Sequence, residues 1–197
     1  MNCKICSAKS EKLFETKVLN KYNVQYYKCT ECEFIETEKP YWLQESYGNA
    51  ITKLDIGLIY RNQMFCDLLQ EVITNNFDDD AKFLDYGGGY GMFVRMMRDK
   101  GFDFYRQDIY CDNLFAEYFD ITDLHYKKQK FEALTTFEVF EHLEDPLIEI
   151  EKMLAYSDTI IFSTELQPSK SIRNVDDWWY FIPETGQHVA LYHMTAL

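Results

Sequence analysis

One stretch constrains the chain more than any other: Lys82-Phe83-Leu84-Asp85-Tyr86-Gly87-Gly88-Gly89-Tyr90-Gly91. A short apolar run ends in an acid, and glycines then turn the chain into a segment with helical spacing. Glycine lets a backbone turn sharply and approach a ligand closely. This order of strand, glycine turn and helix is the nucleotide-binding corner at the first strand of an α/β sheet. Much of the remaining sequence agrees with it. Strand-like runs at 103–107 and 131–137 and around Ile160 alternate with helical patterns at about 91–100 and 146–155. A weaker strand is expected near 117–119. Alternation of this kind predicts a doubly wound, mostly parallel sheet. A helix is expected over about 55–76, with Ile56, Ile59, Tyr60, Met64, Leu68, Leu69 and Val72 as its apolar face.

The glycine spacing narrows the ligand. A dinucleotide fingerprint starting at Gly87 needs a small residue at position 92, where Met92 stands, and the Gly-Lys-Ser/Thr of a phosphate-gripping loop is absent. Glycines at alternate positions 87, 89 and 91 suit a ligand with no pyrophosphate to seat on the helix. Asp108 follows Gly89 by 19 residues, at the end of the second strand. An acid there is placed to accept both ribose hydroxyls.

A second signal lies at the N-terminus. Cys3-x-x-Cys6 and Cys29-x-x-Cys32 are two tight pairs able to aim four thiolates at one point, the pattern of a structural zinc ribbon. Two disulfides or free thiols are the alternative, and a reducing cytoplasm disfavours the disulfides. So short a segment cannot build a sufficient apolar core by itself. Cys66 and Cys111 read as buried apolar residues.

Charge separates the ends of the chain. Residues 1–40 hold seven lysines and six glutamates, for +1, so of the net −13 residues 41–197 carry −14. The expected organisation is a ribbon over 1–40, a helical linker over 41–78 and a nucleotide-binding domain over 79–197. Such acidity repels phosphate backbones and argues against nucleic acid as a partner. No apolar run is long enough to span a membrane and no apolar leader is visible, so a cytoplasmic location is expected.

The motifs together resemble class I S-adenosylmethionine-dependent methyltransferases. Leu84–Gly91 resembles that superfamily's first motif, Gln107-Asp108-Ile109 its second-strand acid, and Phe119–Leu124 the segment that sets an Asp near the adenine. Phe137–Pro146 resembles its fourth-strand segment. The resemblance implies a Rossmann-like fold and S-adenosylmethionine bound by Asp85, Tyr86, Gly87, Gly89, Gly91, Asp108, Ile109, Asp120 and Phe137. The ribbon, the linker Glu45–Ile51 with Arg61, and Gly186-Gln187-His188-Val189 resemble a bacterial subgroup whose members modify sugars or nucleotide sugars. That implies a small, sugar-like acceptor. Superfamily members usually carry seven strands, whereas this sequence reaches five. The last two strands are therefore expected to be missing, and activity is expected to depend on that short end.

Tyr47, Tyr86, Phe137 and Glu138 are candidates to surround the sulfonium. Glu138 stands at the carboxyl end of a strand, where ligands bind in such sheets. His188 follows Trp178-Trp179-Tyr180, an aromatic platform suited to a sugar, and is the candidate base, with Glu138 beside it as the second catalytic candidate. His142 ranks below it, His193 lower still, and His125 is expected in a solvated loop. A non-catalytic scaffold and an NAD-type oxidoreductase are the competing readings.

Overall fold

The computed structural model describes residues 1–48, 54, 56–78, 80–124 and 130–197. In chain order its elements are β1 (Ser10–Val18), β2 (Tyr22–Cys29), β3 (Ile35–Thr37), α1 (Leu43–Ser46), α2 (Leu58–Asn76), β4 (Lys82–Tyr86), α3 (Met92–Asp99), β5 (Asp103–Gln107), β6 (Ala133–Phe137), α4 (Pro146–Tyr156), β7 (Ile160–Ser163) and β8 (Ala190–Leu191). The chain folds as two compact units. The first comprises Met1–Asn49, Glu138–Ile150 and Ser163–Leu197; the second comprises Ala50–Phe137 and Glu151–Phe162.

The second unit carries the expected sheet, in the order β5-β4-β6-β7. β4 pairs in parallel with β5 on one side, Leu84 opposite Tyr105, and with β6 on the other, Leu84 opposite Leu134. The chain thus steps from β4 outward to β5 and then returns across β4 to reach β6. That reversal puts the topological switch point at the carboxyl ends of β4 and β6, where doubly wound sheets bind ligands. The core is aromatic and aliphatic: Phe83, Phe93, Val94, Met97 and Phe104 are buried against Cys66, Leu69 and Ile73 of α2.

Two expectations are corrected here. α2 buries Cys66, Leu69 and Ile73, and leaves Ile59, Tyr60, Leu68 and Val72 exposed. Two apolar stripes compete on this helix, and the one flanked by Phe65 and Phe77 packs onto the sheet. The expected strand at 117–119 is absent: a single parallel bridge joins Arg106 to Asp120. The Asp120 side chain instead starts a short 3₁₀ turn over Ile121–Asp123. Asp55, expected at the start of α2, lies outside the described residues, as do Asn49–Ile51 of the linker.

The first unit has an antiparallel sheet in the order β1-β2-β3-β8. β1 and β2 form a hairpin with a register shift between Lys12 and Phe14. The fourth strand comes from the far end of the sequence, Leu191 pairing with Ile35 and Ala190 with Glu36. The same far segment supplies Trp178, Tyr180, Phe181 and Val189 to a core shared with Val18, Val24, Tyr26 and Trp42. The apolar material that residues 1–40 lack is therefore delivered by residues 163–197. Among the described residues, no helix is long and apolar enough to cross a membrane.

Candidate functional site

In the second unit the glycine turn is built as its spacing requires. Gly87, Gly89 and Gly91 all have positive φ, at 73°, 53° and 84°. Alternation of glycine is therefore alternation of left-handed backbone, which other residues adopt only at a cost. Gly88 is needed for a different reason: a Cβ there would lie 2.7 Å from Asp85 Oδ2 and 2.8 Å from Arg106 Cγ. The Gly87 and Gly88 amides both donate to the Gln107 carbonyl, at 2.8 and 3.3 Å, which ties the turn to the end of β5.

Asp85 is buried and accepts a hydrogen bond from the Thr135 hydroxyl at 2.8 Å. Burial pushes its carboxyl up to about 7; the Asp108 charge adds to the rise, while the Thr135 hydroxyl and Arg106 oppose it. Asp108 gathers three backbone amides. Gly89 donates to Oδ2 at 2.9 Å, and Tyr110 and Cys111 donate to Oδ1 at 2.8 and 2.9 Å. The structure thus brings Asp85, Gly87, Gly89, Gly91 and Asp108 together around one turn. Ile109 beside it is exposed. Tyr86 faces the Tyr156 ring at 6.3 Å. Phe137, at the end of β6, stacks on Phe65 with ring centroids 4.3 Å apart and meets the Phe93 ring edge-on.

Arg106 is a residue that sequence reasoning missed. It is buried on β5, and its guanidinium reaches Asp120 Oδ1 at 2.7 Å, the Cys111 carbonyl at 3.0 Å and the Gly89 carbonyl. One fork therefore holds the glycine turn, the loop after β5 and the acid expected near the adenine. The available signal was an arginine inside the strand Phe104-Tyr105-Arg106-Gln107. Asp120 also accepts from Asn113 Nδ2 at 3.1 Å. Cys111, expected to be buried, is half-exposed, and its carbonyl rather than its thiol is what Arg106 uses.

In the first unit a second cluster forms around Tyr180. Glu138 is a non-glycine residue at φ 54°, a strained conformation of the kind that persists where surrounding contacts over-determine it. Ser163 supplies such contacts, since its hydroxyl donates to Glu138 Oε1 at 2.7 Å and its carbonyl accepts from the Glu138 amide at 3.2 Å. The Tyr180 hydroxyl lies 2.5 Å from Glu141 Oε1 and 3.2 Å from Glu138 Oε2. Glu141 is buried, which pushes its carboxyl up to about 7, and the neighbouring Glu138 charge adds to the rise.

His142 and His188 come together in this unit, with ring centroids 5.0 Å apart. His188 Nδ1 is 2.6 Å from the Tyr180 carbonyl and His142 Nδ1 is 3.1 Å from the Gln187 carbonyl. A carbonyl oxygen only accepts, so each Nδ1 carries a proton, and the neutral form of either ring has its lone pair at Nε2. Burial, with His142 adding to it, pushes His188 down to about 3, so the ring is neutral at physiological pH. Tyr47 meets the His142 ring edge-on at 6.3 Å. Of the aromatic run beside His188, Trp178 and Tyr180 are core residues and only Trp179 is exposed. His193 is half-buried and occupied with Thr195, and His125 lies outside the described residues.

The four N-terminal cysteines converge. Cys3 and Cys32 sulfurs lie 3.6 Å apart, Cys6 and Cys29 sulfurs 3.4 Å, and all four are within 4.8 Å of one another. Four sulfurs about 2.3 Å from a tetrahedral zinc ion are separated by about 3.8 Å, so this donor set fits that ion in number, chemistry and spacing.

A family model described as "Methyltransferase domain" matches residues 59–197. Among solved structures, the chain is similar to the plantazolicin methyltransferase BpumL in complex with SAH, at 14% identity over 75% of this chain and 68% of that one, with a TM-score of 0.43. It is also similar to BpumL in complex with a pentazolic desmethylPZN analog and SAH, at 13% identity over 68% of this chain and 59% of that one, with a TM-score of 0.40. A search of curated proteins finds no match.

Proposed function

The chain belongs to the Methyltransferase domain family, and from that premise we propose that it moves the methyl group of S-adenosylmethionine to a small, sugar or nucleotide-sugar acceptor. The observation that carries the cofactor reading is the glycine turn at the switch point. It combines left-handed glycines with a second-strand acid and lacks the features that seat a pyrophosphate. Asp85, Tyr86, Gly87, Gly89, Gly91, Asp108, Ile109, Asp120 and Phe137 are the proposed cofactor contacts. S-adenosylmethionine supplies an electrophilic methyl group, transferred as the carbon–sulfur bond breaks with its electron pair left on sulfur. The protein's part is to align the acceptor with that methyl group and to take the acceptor's proton when there is one to lose.

His188 is the proposed base. Its Nδ1–H is fixed on the Tyr180 carbonyl, so Nε2 is the atom that accepts. Glu138, clamped by Ser163 and Tyr180, is proposed to position the acceptor. The exposed Trp179 ring, edge-on to Tyr180 at 5.2 Å, offers an apolar face for a sugar ring. The cysteine cluster is proposed to hold a structural zinc ion, with four thiolates leaving no position for a substrate.

Calorimetric titration with S-adenosylmethionine and, separately, NAD tests the cofactor assignment. Binding of the first alone is expected, and binding of NAD alone overturns it. Formation of S-adenosylhomocysteine in the presence of a nucleotide-sugar panel then tests the acceptor class. Turnover on short peptides with none on sugars refutes the sugar reading. A protein that binds the cofactor but never turns it over is a scaffold.

A further inference from the structure

We propose that Glu141, His142 and His188 form a second metal site, one that binds a late first-row divalent cation such as zinc through one carboxylate oxygen and two imidazole nitrogens. The ligating atoms of the three residues lie within 4.8 Å of one another, and all three belong to the first unit. Two imidazoles and a carboxylate are the donor set that late first-row cations favour, and three protein ligands leave positions open for water or for oxygens of a substrate.

The cluster is oriented as metal ligands are. Each ring is anchored through Nδ1 to a backbone carbonyl, Gln187 for His142 and Tyr180 for His188, which directs the lone pair to Nε2. Anchoring of the second nitrogen is the outer-shell contact that fixes the tautomer of a ligating histidine. The carboxylate is held in the same way, with Oε1 accepting from the Tyr180 hydroxyl at 2.5 Å and Oε2 from the Thr164 hydroxyl at 3.1 Å. His142 Nε2 is 4.0 Å from Glu141 Oε1. Ligands about 2.1 Å from a tetrahedral ion are separated by about 3.4 Å, so no pair has to close by more than about 1.4 Å. Tyr180 serves both sides of the site, giving its carbonyl to His188 and its hydroxyl to Glu141.

A metal at this site would limit methyl transfer. A cation on His188 Nε2 occupies the lone pair that would take the acceptor's proton. The loaded site therefore silences that base, and added zinc is expected to lower turnover in proportion to its occupancy.

The test needs no substrate, so its failure is separate from failure of the methyl-transfer reading. The full-length protein is equilibrated with zinc, freed of excess ion and assayed for bound metal by mass spectrometry, alongside His142→Gln and His188→Gln. With the cysteine cluster filled, about two equivalents are expected in the parent and about one in each variant. Equal metal content in all three proteins overturns the proposal, as does a loss confined to one variant. Cobalt titration of the unsubstituted protein stands independently of how the variants fold. Visible ligand-field bands that keep growing after thiolate charge transfer has saturated support a site of nitrogen and oxygen donors. Bands that saturate together with the thiolate signal overturn it.

Discussion

Gly89 and Gly91 occupy equivalent places in the motif, yet the structure gives them unequal constraints. Gly89 has φ +53° and open space where a Cβ would go, so Gly89→Ala bears only the strain of left-handed backbone, about 1–2 kcal/mol. Gly91 has φ +84°, and a Cβ there would stand 2.7 Å from Asn113 Oδ1, 3.0 Å from Ala116 Cβ and 3.2 Å from Ala116 N. Asn113 has no room to retreat. Its Oδ1 accepts from the Ala116 amide at 2.8 Å and its Nδ2 donates to the Ala116 carbonyl at 2.6 Å, with Ala116 itself buried. Overpacking at such a place adds about 1–3 kcal/mol. Gly91→Ala should therefore cost about 2–5 kcal/mol, a total built from the strain and the overpacking together. The assay is urea unfolding followed by far-ultraviolet circular dichroism. That signal is weighted toward α2 and α3, the longer helical content of the second unit, whereas Trp42, Trp178 and Trp179 all report on the first unit. With a slope of about 2 kcal/mol per molar, the Gly91 midpoint should fall below the Gly89 midpoint by about 0.5–1.5 M. Coincident midpoints would refute the steric account and leave φ as the only constraint on the turn.

Two further outcomes follow from the buried acids. Burial raises the Asp85 carboxyl from the ordinary aspartate value of about 4 to about 7, so its uncharged form favours the fold. That stability is fully present below about pH 4 and is lost as pH rises through about 7. Asp85→Asn should flatten this part of the second unit's pH–stability curve, and an unchanged slope would show that other groups set it. Tyr180→Phe removes the hydroxyl shared by Glu138 and Glu141, and leaves the buried Glu141 with Thr164 as its remaining hydroxyl donor. Tryptophan emission during unfolding should report a loss of about 1–3 kcal/mol in the first unit, and a change under about 0.5 kcal/mol would contradict the role given to that hydroxyl.

What could be read from the sequence was local. β4, the glycine turn, α3 and β5 were legible because a period-two run, left-handed glycines and a helical repeat are each written within a few consecutive residues. The face of α2 was not, because two apolar stripes run along it and only the partner surface decides between them. β8 was illegible for the same reason carried further: Ala190 and Leu191 carry no strand signal until Ile35 and Glu36 offer an edge. Arg106 and the Glu141–His142–His188 cluster show how this bears on function. Glu141 and His142 sit inside a motif that any reader of the sequence would mark, but their geometry depends on His188, which only the path of the far segment brings beside them. The glycine turn is the opposite case, and even there the sequence pattern was incomplete. Three glycines serve left-handed backbone, while Gly88 serves the close approach of Asp85 and Arg106 to the turn. A side chain at 88 would therefore disturb the acid and the arginine that hold the turn, although the alternating pattern would remain intact.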